Sequence, residues 1–189
     1  MNAKRDSEAI QTRLDEMLEA VDSALLEGDF AGAHAELTRA SALAGDDHPE
    51  VLFATACVAW DERGPSHAIA LLQRVVSAEP AHSDAHHALA CAFEERGARG
   101  DEKSAIEHFL HVHRLDARSD REARIGTRRE LDHIERVARE VLDGLPAPFA
   151  QRLAHVPVVL ERRPSRDLVA DGFDPRAGIA GLRTLIFDL

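Results

Sequence analysis

Six of the eleven histidines fall in two clusters, His82/His86/His87 and His108/His111/His113, and clustered imidazoles raise the chemistry of a bound metal first. A zinc site needs three or four ligands converging on one point at about 2.0–2.3 Å. On a helix that convergence comes from an i, i+4 pair such as H-E-x-x-H, where the glutamate beside the first ligand serves as general base. In "EHFLH", residues 107–111, the histidines are only three apart and the glutamate is on the wrong side. His82 is expected to precede its helix, and His111 and His113 to project to different faces. The clusters therefore read as structural, with metal binding the lesser alternative; no metal and no cofactor is expected.

Other reactive constellations are missing from the sequence. There is no G-x-S-x-G, no G-x-x-x-x-G-K-[ST] and no G-x-G-x-x-G. The two cysteines, Cys57 and Cys91, are too few and wrongly spaced for a disulfide framework or a C-x-x-C knuckle. No catalytic residue is assigned, and the expectation is a protein that is not an enzyme.

What positions the histidines is a repeat. The segments "GDFAGAHAELTRASAL" (28–43), "GPSHAIALLQRVVSAEP" (64–80) and "DEKSAIEHFLHVHRLDA" (101–117) align on Ala33/Leu37/Ala40, Ala68/Leu72/Val75 and Ala105/Phe109/Val112. Steps of four and three put each trio on one helical stripe. A second helical pattern precedes each, over roughly 8–27, 49–62 and 83–96. Gly28, Gly64 and Gly97 are placed to stop these first helices, a capping box is expected at Asp47/Glu50 around Pro49, and Ser83 is expected to cap the next helix. The alanines recur 35 and 37 residues apart, which implies a small insertion near Arg96–Lys103.

Composition agrees with helices. The 189 residues are 44% hydrophobic but only 4% aromatic, with alanine and leucine dominant, which favours close helix packing over sheets. The formal net charge of -11 sets the chain as a whole against phosphate backbones and anionic membrane surfaces, so no nucleic acid and no membrane is expected as partner. Met1–Asp6 lead straight into a charged amphipathic helix without an apolar signal segment, and no run of about 18 apolar residues occurs, so a cytoplasmic location is expected.

On these features, the "DF..A" and "AIALL" starts of the second helices, the small Ala33, Ala68 and Ala105, and "AEP" at 78–80, residues 8–117 resemble the tetratricopeptide repeat family, whose unit is a 34-residue antiparallel helix pair. Departures are Gly45 and Ala117 at the repeat-closing proline position and small residues in place of the consensus tryptophan and tyrosine. A non-repeat α-bundle is the alternative. The resemblance implies a stacked array lined on its inner face by the first helix of each pair. In that register the inward residues are Asp15, Leu18, Asp22 and Leu25, then Glu50, Phe53, Cys57, Trp60 and Asp61, then Asp84, His87, Cys91, Glu94 and Glu95. None is lysine or arginine, so a clamp for a partner's terminal carboxylate is not expected. Acids around Phe53 and Trp60 suit a protein or peptide segment with basic and apolar side chains. The alternative is that the acids are merely solvated and Trp60 packs under a neighbouring helix. Cys57 and Cys91 occupy equivalent positions on helices at least roughly 8–10 Å apart, beyond the roughly 7 Å Cα reach of a disulfide, so both are expected as free thiols.

After Ala117 the pattern changes. Capping boxes are expected at Ser119/Glu122 and Thr127/Glu130, and Leu131, Ile134, Ala138, Val141, Leu142 and Leu145 form one helical face ending at Gly144-Leu145-Pro146. Arginines and acids interleaved over 114–139 read as a salt-bridged, solvated face. Beyond Pro148 a short helix, a β-like run "VPVVLERRPS" and a terminal strand over Leu182–Phe187 are expected. The division expected is a repeat domain over 1–117, a linking helix over 118–145 and a small α+β tail over 146–189. An apolar edge at the terminal strand would favour self-association.

The stretch 128–176, through "ERVAREVLDGLPAPFAQRLAHVPVVLERRPS" and "DGFDPRA", resembles the start of the minimal zincin-like metallopeptidase domains of bacteria. In that family the H-E-x-x-H helix comes later, and no position here matches it. The expectation is therefore a mainly α adaptor or assembly factor, a helical-hairpin solenoid with an α+β remnant. The alternative is a zincin-like metallopeptidase, truncated or degenerate, carrying an interaction domain.

Overall fold

The computed structural model describes residues 2–153 and 163–177, and among them the chain is mainly α, with nine helices and no strand. In order these are α1 (Asn2–Glu27), α2 (Phe30–Ala44), α3 (Pro49–Arg63), α4 (Pro65–Ala78), α5 (Ser83–Arg96), α6 (Asp101–Glu122), α7 (Arg128–Asp143), α8 (Ala147–Leu153) and α9 (Arg166–Ala170). None of the described helices is long and apolar enough to cross a membrane. The expected strand at Leu182–Phe187 lies outside the described residues. Of "VPVVLERRPS" only residues 163–165 are described, and they are not in a strand. The chain divides into two compact units, Met1–His108 and Phe109–Leu189, with the boundary inside α6.

In the first unit, short connections follow from the local chemistry. Gly28, Gly64 and Gly97 come directly after α1, α3 and α5 at φ of 72°, 88° and 60°, a conformation that only glycine adopts without steric cost. Asp29 begins α2 by accepting the Gly32 N–H at 2.9 Å. Two expected caps are replaced by their neighbours. The N-cap of α3 is His48, with Pro49 at the first helical position, and Asp47 instead accepts from Arg74 Nη2 at 2.6 Å. The N-cap of α5 is His82, whose Nδ1 accepts the Ala85 N–H at 3.1 Å, while Ser83 is already helical.

α1 packs on α2, α2 on α3, α3 on α4, α4 on α5, and α1 also reaches α3. The alanines make this possible: Ala33, Ala40, Ala56 and Ala68 are fully buried, and a methyl lets two helix backbones approach where a larger side chain would hold them apart. Val21, Ala33, Leu37, Ala54 and Val58 form one apolar cluster across α1, α2 and α3; Leu14, Met17, Ala40 and Val51 form the next. Leu72, Val75 and Leu89 are also fully buried. In the connection from α5 to α6, the Arg96 guanidinium forks onto Asp101 at 2.6 and 2.8 Å and the Ala98 N–H adds a third bond at 2.9 Å. The bond from Arg96 holds the Asp101 carboxyl below its usual range.

The second unit is held differently. α6 runs through Ser119, so no capping box forms there, whereas the Thr127/Glu130 box at the start of α7 is complete. α7 buries none of its residues: Ile134 is 50% and Val141 61% exposed, so the apolar face legible in the sequence has no cover among the described residues. Its charged face is laced by Arg128–Asp132, Arg136–Glu140 and Arg139–Glu135 pairs at i, i+4 spacing. Residues 163–177 are tied to the second half of α6 by ion pairs. Arg163 bridges Asp116 at 2.9 Å and Asp120 at 2.7 Å, Arg176 reaches Asp116 at 2.9 Å, and the His113 ring bonds the Pro164 carbonyl at 3.0 Å. Ser165 caps α9, and Val169 and Pro175 are fully buried.

Candidate functional site

The residues expected on the inner face come from α1, α3 and α5. α3 shows how they are selected. Val51, Leu52, Ala54, Ala56, Val58 and Ala59 are buried, which leaves Phe53, Cys57 and Trp60 as a half-exposed stripe at spacings of four and three. On α5 the same alternation buries Ala85, His86, Leu89, Ala90, Ala92 and Phe93 and leaves His87 and Cys91 half-exposed, with Asp84 and Glu94 exposed. On α1 Asp22 is exposed, while Leu18 and Leu25 pack against the Val21/Ala33/Leu37 cluster and are partly core.

Electrostatics show which of these residues act on one another. Burial pushes the Cys57 thiol up to about 12, and the carboxylates of Asp22, Asp61 and Asp84 push in the same direction. Three helices therefore place acids around one sulfur. A thiol raised in this way holds its proton more tightly than an ordinary cysteine. Partial desolvation also raises the Asp22 carboxyl above its ordinary range. Cys57 and Cys91 are both free thiols. Cys91 Sγ lies 3.9 Å from both ring nitrogens of His87, one turn earlier on the same helix.

The aromatic residues join α3 to α5. The Trp60 indole N–H donates to Glu95 at 3.1 Å, which fixes the ring at the edge of the acidic stripe while leaving the side chain half-exposed. The Phe53 ring lies 5.0 Å from the His82 ring at 42°. Glu50, half-exposed, brings Oε1 to 3.6 Å from His82 Nε2, beyond hydrogen-bond reach.

The histidine clusters resolve into separate tasks. His86 is a core ring whose Nε2 lies 3.2 Å from the Pro80 carbonyl and whose Nδ1 lies 2.8 Å from His108 Nδ1. A carbonyl only accepts, so His86 Nε2 carries a hydrogen, and the two facing Nδ1 atoms share one proton between them. His108 in turn stacks on Phe93. His111 Nδ1 accepts from Arg114, and His113 serves Pro164.

No family model and no curated protein matches the chain.

Sequence reasoning missed the N-cap histidines. His48 and His82 stand 34 residues apart, the same interval as Cys57 and Cys91, and that periodicity was the available signal. Because His82 Nδ1 accepts from Ala85, the hydrogen of its neutral ring sits on Nε2. That N–H is buried and makes no hydrogen bond among the described residues, and an unmade hydrogen bond of this kind costs about 1–3 kcal/mol. His48 Nδ1 is buried without a partner in the same way.

Proposed function

We propose that the first unit is a tetratricopeptide-type array that binds a protein segment carrying basic and apolar side chains, and that the chain acts as an adaptor or assembly factor. The observation that carries this reading is that Asp22, Asp61 and Asp84, from three helices, all act electrostatically on the half-exposed Cys57 thiol. Isolated surface acids are ordinary, whereas acids gathered from α1, α3 and α5 beside half-exposed Phe53 and Trp60 provide a negative strip with apolar area along it. Such a strip steers a cationic segment and fixes its register, and the aromatics supply the area that holds it. Glu50, Glu94, His87 and Cys91 extend the same stripe along α3 and α5, and Leu25 closes its α1 side.

Three features support the repeat assignment: the 34-residue spacing of His48/His82 and Cys57/Cys91, the packing of α1 on α3, and the buried alanines. The tail from 146 onward fits this reading as a remnant similar to a zincin-like domain, and a cytoplasmic site of action accompanies it.

The test is capture of partners from the native host with the wild-type chain, Trp60→Ala and a control, Arg136→Ala on α7. Trp60→Ala is expected to lose most of the captured partner while the helical signal is retained, and the control to lose none. Recovery of the same partners at the same yield by the Trp60 variant would remove the groove from consideration.

A further inference from the structure

The groove reading assigns charge and apolar area to the partner but no hydrogen-bonding group. His82 supplies that group. Its ring is 8% exposed, wedged under Phe53 at 5.0 Å and beside Glu50, and it belongs to the turn that starts α5. One ring nitrogen is fully committed, since Nδ1 holds the Ala85 N–H at 3.1 Å. The other, Nε2, is a buried donor that makes no hydrogen bond among the described residues, where Glu50 Oε1 stands 3.6 Å away, beyond bonding distance. Phe53 and Glu50, the two side chains next to it, are both half-exposed members of the α3 stripe.

Resting on the groove reading, we infer that the Glu50–Phe53–His82 corner is a subsite for an uncharged amide carbonyl of the bound segment, taken by the His82 Nε2–H, with a basic side chain beside it paired to Glu50. The acceptor is neutral for an electrostatic reason. A carboxylate at Nε2 would sit within a few ångströms of Glu50, and two like charges at that separation repel strongly away from bulk water. A second donor would leave the N–H unmatched, whereas an amide oxygen offers two lone pairs and a stronger dipole than a hydroxyl. The cap on Nδ1 already fixes the ring's orientation and tautomer, so only the half-exposed side chains of Phe53 and Glu50 beside the buried Nε2 have to turn aside for an outside carbonyl to reach it. This is the preorganisation that makes one hydrogen bond discriminating.

An amide carbonyl comes either from the partner's backbone or from an asparagine or glutamine side chain, and the experiment separates the two. Acetylated, amidated nonapeptides of lysine, leucine and asparagine are screened against the full chain, and the tightest binder that depends on Trp60 is retained. Each of its backbone amides is then replaced in turn by an ester, a weaker acceptor, and each asparagine by leucine. The same series is measured on His82→Asn, which keeps a side-chain acceptor for the Ala85 N–H but removes the imidazole donor. One replacement is expected to weaken binding to the wild type by about tenfold and to leave binding to His82→Asn unchanged, the signature of a lost pairwise bond. An ester at that position assigns the backbone; leucine for asparagine assigns the side chain. On the wild type, the His82 Nε2–H proton resonance should also shift when the peptide is added, a readout that needs no variant to fold. Equal losses in both proteins, or no loss in either, together with an unmoved resonance, overturn the subsite while leaving the groove intact. If no peptide shows Trp60-dependent binding, the groove reading fails and the subsite with it.

Discussion

α3 and α7 make an instructive pair. α7 has the sharper division between apolar and charged faces, with Leu131, Ile134, Ala138, Val141 and Leu142 on one side and arginine–acid pairs on the other, and among the described residues it buries none of its own. α3 has its apolar residues spread around most of its circumference, and six of its fifteen residues are buried. The difference extends to the units that contain them. Residues 1–108 carry nine lysines and arginines against 21 acids and are held by apolar clusters of small side chains. Residues 109–189 carry 14 arginines against 13 acids, and their described tail segment is held by Arg163 and Arg176 on Asp116 and Asp120. An amphipathic pattern states which face a helix can bury, and burial requires a neighbour whose surface fits. α3 is flanked by α1, α2 and α4.

The largest effect that tests this contrast is in the apolar unit. Leu72→Ala removes a fully buried side chain from α4 and is expected to cost about 2–5 kcal/mol, read from urea unfolding followed by the single tryptophan, Trp60. A shift no larger than that of a surface variant would mean that the alanine-lined packing is not what holds this unit.

Arg163→Ala should act locally and less strongly. It removes the guanidinium that bridges Asp116 and Asp120, at a cost of about 1–3 kcal/mol to the 163–177 segment. Amide exchange over 166–171 is expected to accelerate while the Trp60 transition stays in place. If the Trp60 transition moves as well, the two regions unfold as one.

Val141→Asn on α7 is expected to change stability by less than about 0.5 kcal/mol, because the side chain is already 61% exposed. A cost approaching that of Leu72→Ala would show that the face is covered in solution.

The smallest effects concern protons, and their signs oppose one another. Asp101, held low by Arg96, contributes stability that is present above its ordinary 3.8 and is lost as pH falls through its lower folded value. Asp22 is raised by desolvation, so its ionisation opposes folding once pH exceeds 3.8, and most fully above the folded value. Asp101→Asn should flatten the acid side of the melting-temperature profile, and Asp22→Asn should raise the neutral-pH melting temperature slightly while weakening partner capture. Stabilisation by Asp101→Asn, or destabilisation by Asp22→Asn, would contradict these environments.

Much of the helical order was legible because it follows from spacing and local chemistry. The stripes Ala33/Leu37/Ala40 and Ala68/Leu72/Val75, the stops at Gly28, Gly64 and Gly97, and the Thr127/Glu130 box each depend on residues within a few positions of one another. The misplaced caps had a different cause. Asp47 and Ser83 are better general N-cap types than histidine, but Asp47 is occupied by Arg74, which is 27 residues away. The His82 ring is seated at the α5 N-cap by contact with Phe53, far off in sequence. Likewise, Ser119 and Glu122 have the spacing of a capping box, yet α6 runs through both because a capable cap residue does not by itself end a helix.

By itself the sequence determined that the chain forms helices, roughly where they start and stop, and that acids and two aromatics recur on the faces that small residues leave uncovered. Those outcomes are set by backbone preference and a period of 3.6, which act over a few residues. The tertiary structure alone decided that Asp22, Asp61 and Asp84 act on one thiol, that His86 is hydrogen-bonded to His108, and that, among the described residues, α7 buries none of its apolar face and the His82 N–H makes no hydrogen bond. Each depends on the approach of helices distant along the chain, and desolvation and hydrogen-bond geometry change over ångströms that no local pattern encodes.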